Sequence, residues 1–272
     1  MFAQVHSRAL SVVLSFKTSL PFDRLPVWKE LRALPIAEQK QRLRDPELRR
    51  RLVEAARERD ERRPIGAEPR RAAYDWIFVM DTAEGPHRSV AEIARERGVD
   101  PVAAMIDLAL EKDLERFFLQ PIANENQDHA LELIKHPRTV VTFSDSGAHV
   151  SQIMDASLQT HLLSHWVRAK QALTLEQAVR MLSFDTATHW GFSDRGLIRE
   201  GLAADLVVFD PDTIAPEMPE VVRDLPAGAR RLVQRARGIA ATVVNGEVLL
   251  RDGKHTGALP GRLLRGPLAR RS

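Results

Sequence analysis

The feature that most constrains this chain is the run Thr139-Val140-Val141-Thr142-Phe143, which delivers Asp145 into the turn Ser144-Asp145-Ser146-Gly147, with His149 four residues on. A short apolar, β-branched run bounded by turn residues is a buried strand. A carboxylate at the end of such a strand, in a chain where strands alternate with helices, sits over the mouth of a parallel sheet or barrel, where ligands bind. There it can hold a metal or take a proton from an activated water. The same turn residues also suit a helix N-cap or an Asx-turn, so local pattern alone leaves both roles open for Asp145.

Upstream, Ala9 to Phe16 is apolar enough for a buried strand, and Pro21, Pro26 and Pro35 punctuate a loop with a short helix around Trp28 to Ala33. Asp45-Pro46 opens a charged helix whose one apolar stripe is Leu48, Leu52, Val53 and Ala56. Residues 61–73 are a connector rich in Arg, Pro and Gly, and Trp76 to Met80 is a short apolar strand. Ser89 with Glu92 makes a capping box, Gly98 stands at a helix end, and Asp100-Pro101 starts the next helix. Phe117 to Leu119 is a further strand and Gln127 to Lys135 a helix, so the alternation predicts parallel βα units.

Beyond Asp145 the pattern is helical, with Leu158, Leu162 and Trp166 at spacing four and Thr174 capping a helix with Gln177. After about residue 196 the period becomes that of strands. Ala204 to Asp210 is one strand, and Ala241 to Val244 and Val248 to Arg251 flank Asn245-Gly246, a strong hairpin signal. Asp252-Gly253 marks the next turn, and the Arg-rich tail from Arg262 reads as a loose terminus.

The available chemistry is narrow. There is no cysteine and no H-x-H pair, which leaves His, Asp, Glu and Lys to build a site. His149 could orient Asp145 or touch substrate, or be a structural loop residue. His161 and His165 have the i, i+4 spacing of two ligands on one helix, but they lie beside the Leu158, Leu162, Trp166 stripe, which favours packing. No nucleophile elbow, P-loop or dinucleotide fingerprint is present. The 40 basic residues are nearly balanced by 37 acidic ones. The Arg-rich stretches Arg42 to Arg51 and Arg57 to Arg71 interleave acids and lack stacking aromatics, so no nucleic-acid partner is expected. No run approaches the ~18 apolar residues of a membrane helix. The first residues lack the pattern of a signal peptide, and the expected location is cytoplasmic.

Several stretches together resemble the C-terminal part of the N-acyl-D-amino-acid deacylase (D-aminoacylase) branch of the amidohydrolase superfamily. They are Thr142 to His149, Leu173 to Leu182, Asp194 to Ile198, Gly201 to Pro211, Val243 to Gly246 and Leu259 to Arg265. The Asp45 to Arg49 region is similar to the helix that precedes the last barrel strands in that family. The resemblance implies a metal-dependent (β/α)8 TIM barrel with a small β-sandwich domain. It also implies zinc as cofactor, with Asp145 as the last-strand aspartate that ligates metal, accepts a proton from the attacking water and passes it to the leaving amine. The chain departs from the family in two ways. The family's histidine ligands have no counterpart here, and no basic residue closely follows Asp145, where D-aminoacylases carry an arginine for the substrate carboxylate.

The expectation is therefore an α/β chain that forms the C-terminal part of such a barrel plus part of the β-sandwich. Residues 1–195 would be the partial barrel, with a helical insertion at about 20–73, and residues 196–272 the β-sandwich portion. The expected function is metal-dependent hydrolysis of a non-peptide amide bond in an N-acyl amino acid or related substrate, with Asp145 catalytic and His149 substrate-binding. The alternative is an inactive remnant or assembly subunit in which Asp145 is only a turn residue. A partial barrel also predicts association through open strand edges, or a homo-oligomer.

Overall fold

A computed structural model describes residues 1–57, 72–153 and 156–264. Among these, strands and helices alternate as an α/β chain. β1 (Ala3–Val5) and the fully buried β2 (Leu10–Leu14) are followed by α1 (Pro26–Arg32), α2 (Ile36–Arg42) and α3 (Pro46–Arg57). Next come β3 (Phe78–Met80), α4 (Val90–Arg97), α5 (Pro101–Leu110), β4 (Phe117–Ala123), α6 (Gln127–Lys135) and β5 (Thr139–Val141). After the Asp145 loop, α7 (Leu158–His161) runs on as a π-helical stretch, Leu162–Ala169. α8 (Leu175–Arg180) passes through a second π-helical stretch, Met181–Asp185, into α9 (Thr186–His189). The remainder is β-rich: β6 (Leu206–Phe209), β7 (Ala215–Pro216), β8 (Glu220–Val222), β9 (Arg231–Val233), β10 (Ala236–Arg237), β11 (Ile239–Val244), β12 (Glu247–Arg251) and β13 (Lys254–His255).

Local chemistry explains most of these boundaries. Ser89 Oγ accepts the Glu92 backbone N–H at 3.1 Å, and the Glu92 carboxylate accepts that of Ser89 at 3.1 Å. Thr174 and Gln177 make the same reciprocal pair at the start of α8. Gly98 closes α4 at φ 64°, a conformation that costs a glycine nothing. Asn245 and Gly246, both at positive φ, turn β11 back onto β12 as the hairpin signal predicts. Two strands are shorter than expected: β3 begins only at Phe78, because Tyr74–Trp76 forms a 3-10 turn, and β5 stops at Val141. The connector at 61–73 and the terminal tail lie largely outside the described residues.

Strand direction corrects the expectation of uniformly parallel units. β1 and β5 pair in parallel, with Ala3, Gln4 and Val5 opposite Thr139, Val140 and Val141. β2, β4 and β3 instead form an antiparallel sheet in that spatial order, and β6, β11, β12 and β13 form another antiparallel sheet. The physical reason lies in the connection. A whole helical layer separates β2 from β4 in sequence, and a connection that long can return the chain from either end.

Two large apolar cores result. The first gathers Val12, Leu14, Trp28, Leu52, Ile106 and Phe118 from β2, β4 and helices α1, α3 and α5, together with Ile77 just before β3. Trp28 is 1% exposed and its Nε1–H donates to the Leu52 carbonyl at 3.0 Å, tying α1 to α3. The second core joins Val5 and Val141 to Ile134, Leu158, Leu162, Trp166, Ala178 and Ile214. Among the described residues no helix is long and apolar enough to cross a membrane. Trp28→Ala removes both the largest buried side chain of the first core and its hydrogen bond. It is expected to lower unfolding free energy by about 3–5 kcal/mol in a urea titration, and a loss under about 1 kcal/mol would show that this core does not depend on it.

Candidate functional site

The parallel pair positions the site. Because β1 and β5 run the same way in register, their C-terminal ends open side by side. The ladder continues one step further through the Phe143 N–H, which donates to the Val5 carbonyl at 3.2 Å. The segment His6-Ser7-Arg8 thus leaves β1 beside the segment Thr142 to His149 leaving β5. Val5 and Val141 point into the second core, and alternation sends Gln4 and Val140 to the opposite face.

Ser7 fixes this end to α7. Its hydroxyl donates to the Leu158 carbonyl at 2.7 Å, and its own carbonyl accepts the Trp166 indole N–H at 2.6 Å. Arg8 is 7% exposed and its Nη1 donates to Ser157 Oγ at 2.6 Å. His6 is 1% exposed, its Nδ1 lies 3.0 Å from the Arg8 carbonyl oxygen and 3.1 Å from the Arg8 nitrogen, and its ring meets Phe143 edge-on. Asp145 is half-buried, and its carbonyl accepts the Ala148 N–H at 2.9 Å, so it opens a tight turn. His149 is exposed, at φ 50° within that turn.

A second polar group lies behind Arg8. His161 is 5% exposed, its ring stacks on that of His165 at 4.7 Å, and its Nδ1 lies 3.2 Å from Glu84 Oε1, with alignment short of a good hydrogen bond. The Ser164 hydroxyl contacts both Glu84 and the Thr160 carbonyl. Several buried polar atoms meet no partner among the described residues, including Nε2 of His161, Nε2 of His165, Thr142 Oγ1 and both amide atoms of Gln152. The apolar stripe beside the histidine pair marked them as packing residues, although their spacing is that of two metal ligands. Neither feature carried any sign of Glu84, which arrives from a loop about 80 positions away, or of the Arg8–Ser157 contact.

Burial sets the protonation of this region. It pushes His161 down to about 4, with Arg8 and His165 adding to the fall and Glu84 opposing it. His6 is likewise lowered to about 4, chiefly by burial, while the Asp145 carboxylate pulls it back up. His87 and His165 are lowered for the same leading reason, and the Arg8 charge contributes to both. Burial alone would raise Glu84, but the contacts from His161 and Ser164 outweigh it and hold the carboxyl below its usual range. Four neutral histidines therefore surround one buried guanidinium near neutral pH.

A ring whose folded pKa lies below its unfolded value of 6.5 contributes its full stability above about pH 6.5. Below that the unfolded chain binds a proton that the fold refuses, and the contribution is lost as pH falls to about 4. Denaturant unfolding at several pH values should show this loss in the wild type and a flatter profile in His161→Gln; equal slopes would mean that His161 titrates normally.

Among the described residues, no group of three or more His, Asp or Glu side chains is arranged to hold a metal ion. The described residues therefore do not make a zinc centre by themselves.

The model of the amidohydrolase family matches residues 42–250. The N-acyl-D-aspartate deacylase of Alcaligenes xylosoxydans xylosoxydans is 30% identical over 205 residues, covering 71% of this chain and 36% of that protein. The D-aminoacylase of the same organism is 29% identical over 206 residues, covering 71% of this chain and 37% of its own length. Among solved structures, the N-acyl-D-glutamate deacylase of Bordetella bronchiseptica, complexed with zinc and a phosphonate mimic of the tetrahedral intermediate, is 25% identical. That match covers 67% of this chain and 37% of that one, with a TM-score of 0.38. The chain spans about a third of the length of the curated relatives it matches. With the family model running from α3 through β12, the chain belongs to the amidohydrolase family.

Proposed function

We infer that this chain is the part of an amidohydrolase that carries the proton-transfer carboxylate, acting on the amide C–N bond of an N-acyl amino acid. The observation that carries the reading is the position of Asp145 just past the C-terminal end of a parallel strand pair, half-buried at the opening of a tight turn. A carboxylate there can accept a proton from the water that attacks the amide carbonyl and return it to the departing amine nitrogen, so that one acid serves both halves of the hydrolysis. The relatives' names supply the substrate class, N-acyl amino acids such as the aspartate and glutamate derivatives. His149, exposed on the same turn, is the accompanying substrate contact in this reading.

Zinc belongs to the reading through the relatives, one of which was solved with it. Asp145 is this chain's candidate ligand, and the other ligands would have to come from outside the described residues. In domain terms, residues 1–195 correspond to the barrel portion and residues 196–272 to the β-sandwich portion. One observation favours the alternative of a noncatalytic assembly subunit: the Asp145 carbonyl organises a turn, which a purely structural aspartate would also do.

Asp145→Asn separates the two. Assayed with zinc and N-acetyl-D-amino acids, the full chain should lose at least about a hundredfold in turnover on this substitution, at unchanged melting temperature. Equal turnover in the variant would remove Asp145 from the mechanism. The β1–β5 pair also leaves two open strand edges, and Phe2 and Trp190 are more than half exposed. Light scattering should therefore show concentration-dependent association, whereas a monomer at all concentrations would argue against open edges as contact surfaces.

A further inference from the structure

The loop from α9 to β6 borders an open cavity of about 350 Å³, and no residue of the Asp145 loop lines it. Its walls are mostly apolar, from Phe184, Phe192, Leu197 and Leu202, and its charged groups are two guanidinium groups, Arg195 and Arg199. No Asp or Glu stands among the lining residues. A cavity of this size, with apolar walls and a few polar groups at fixed places, is the usual form of a small-molecule site.

The surroundings hold this cavity in shape. Phe184 belongs to the second π-helical stretch, and wide turns of that kind recur at functional sites. Gly196, at φ 93°, lets the loop lie close against α9, since a Cβ there would come within 2.7 Å of Ala187 Cβ. The Phe192 N–H donates to the Ala187 carbonyl at 2.9 Å, and the Ala203 N–H donates to the Asp194 carbonyl at 2.8 Å. Arg195 donates to Asp194 at 3.1 Å and also pairs with Asp205, whose other oxygen accepts the Asn245 N–H at 2.8 Å. The walls are therefore fixed before anything binds, which lowers the entropy lost on binding.

The two arginines differ. Arg195 is satisfied by its carboxylates and lies 5.9 Å from the centre of the Phe192 ring, so it stiffens the wall. Arg199 is exposed, and among the described residues no carboxylate pairs with it. We propose that the cavity binds a small carboxylic acid with an apolar tail, its carboxylate on Arg199 and its tail between Phe184, Phe192 and Leu202. A planar guanidinium meets a carboxylate through two parallel hydrogen bonds. One free positive charge suits a singly charged anion, whereas a phosphate would bring more charge against apolar walls than Arg199 offsets. Leu197 lines the cavity while 45% exposed, so apolar surface meets water there until a tail covers it. The site stands independently of the reading of Asp145, although amide hydrolysis of an acyl amino acid would release an acid of this class.

Isothermal titration calorimetry of the full chain with octanoate tests the proposal. One octanoate per chain should bind, with each methylene added between butyrate and octanoate tightening affinity by up to about fourfold. Arg199→Gln alters an exposed side chain and should weaken octanoate at least about tenfold at unchanged melting temperature, while neutral octanamide should bind wild type and variant equally and more weakly. Leu197→Asp sets a carboxylate in the apolar rim and should abolish binding.

No binding of octanoate, equal affinity in the wild type and Arg199→Gln, or butyrate binding as tightly as octanoate overturns the proposal. Displacement of octanoate by inorganic phosphate shows a general anion site and overturns the apolar carboxylate. Failure of octanoate to bind, together with loss of self-association in Leu197→Asp by light scattering, assigns the apolar rim to contact between copies of this chain instead.

Discussion

The site depends on the parallel pairing of two three-residue strands, β1 and β5. Pairs this short do not stand alone in water, and this one is held by what lies behind it. Val5 and Val141 share a core with Leu158, Leu162 and Trp166, and the Trp166 indole N–H reaches the Ser7 carbonyl just past β1. That anchoring sets the strand ends level. Because the strands run the same way, everything that leaves them does so on one side of the molecule.

The electrostatics of that side follow from burial more than from any single ion pair. Arg8 is nearly covered, and the histidines around it are neutral because a second buried positive charge would be costly. The result is a polar interior with one cation, the Glu84 carboxylate and several neutral rings, next to a loop whose carboxylate is half open. The unpaired atoms of Thr142, Gln152, His161 and His165 belong to the loop after β5 and the helix that follows it, while the first apolar core accounts for none of them.

Much of the local structure was legible because its causes are local. Ser89 and Glu92 are three residues apart and cap each other, Asp100-Pro101 opens α5, and Asn245-Gly246 turns a hairpin, so each signal and its outcome lie within one window of sequence. Strand direction was not legible in that way. β2 and β4 look like any buried strands, and their antiparallel pairing is decided by how the intervening helices return the chain. β1 was missed altogether, since three residues with a polar centre, Ala3-Gln4-Val5, carry no strand signal until Thr139 to Val141 pairs with them.

At the candidate site, the sequence by itself determined only the local setting of Asp145: an apolar run, a turn and a carboxylate follow one another along the chain. The tertiary structure alone decided what surrounds it. Arg8 meets Ser157, Glu84 meets His161, and Gln152 is closed into the interior. The first two contacts join residues far apart in sequence, Arg8 and Ser157 by 149 positions. The physical reason is that a chain pattern reports period and punctuation, whereas burial and charge pairing depend on which segments the cores bring together.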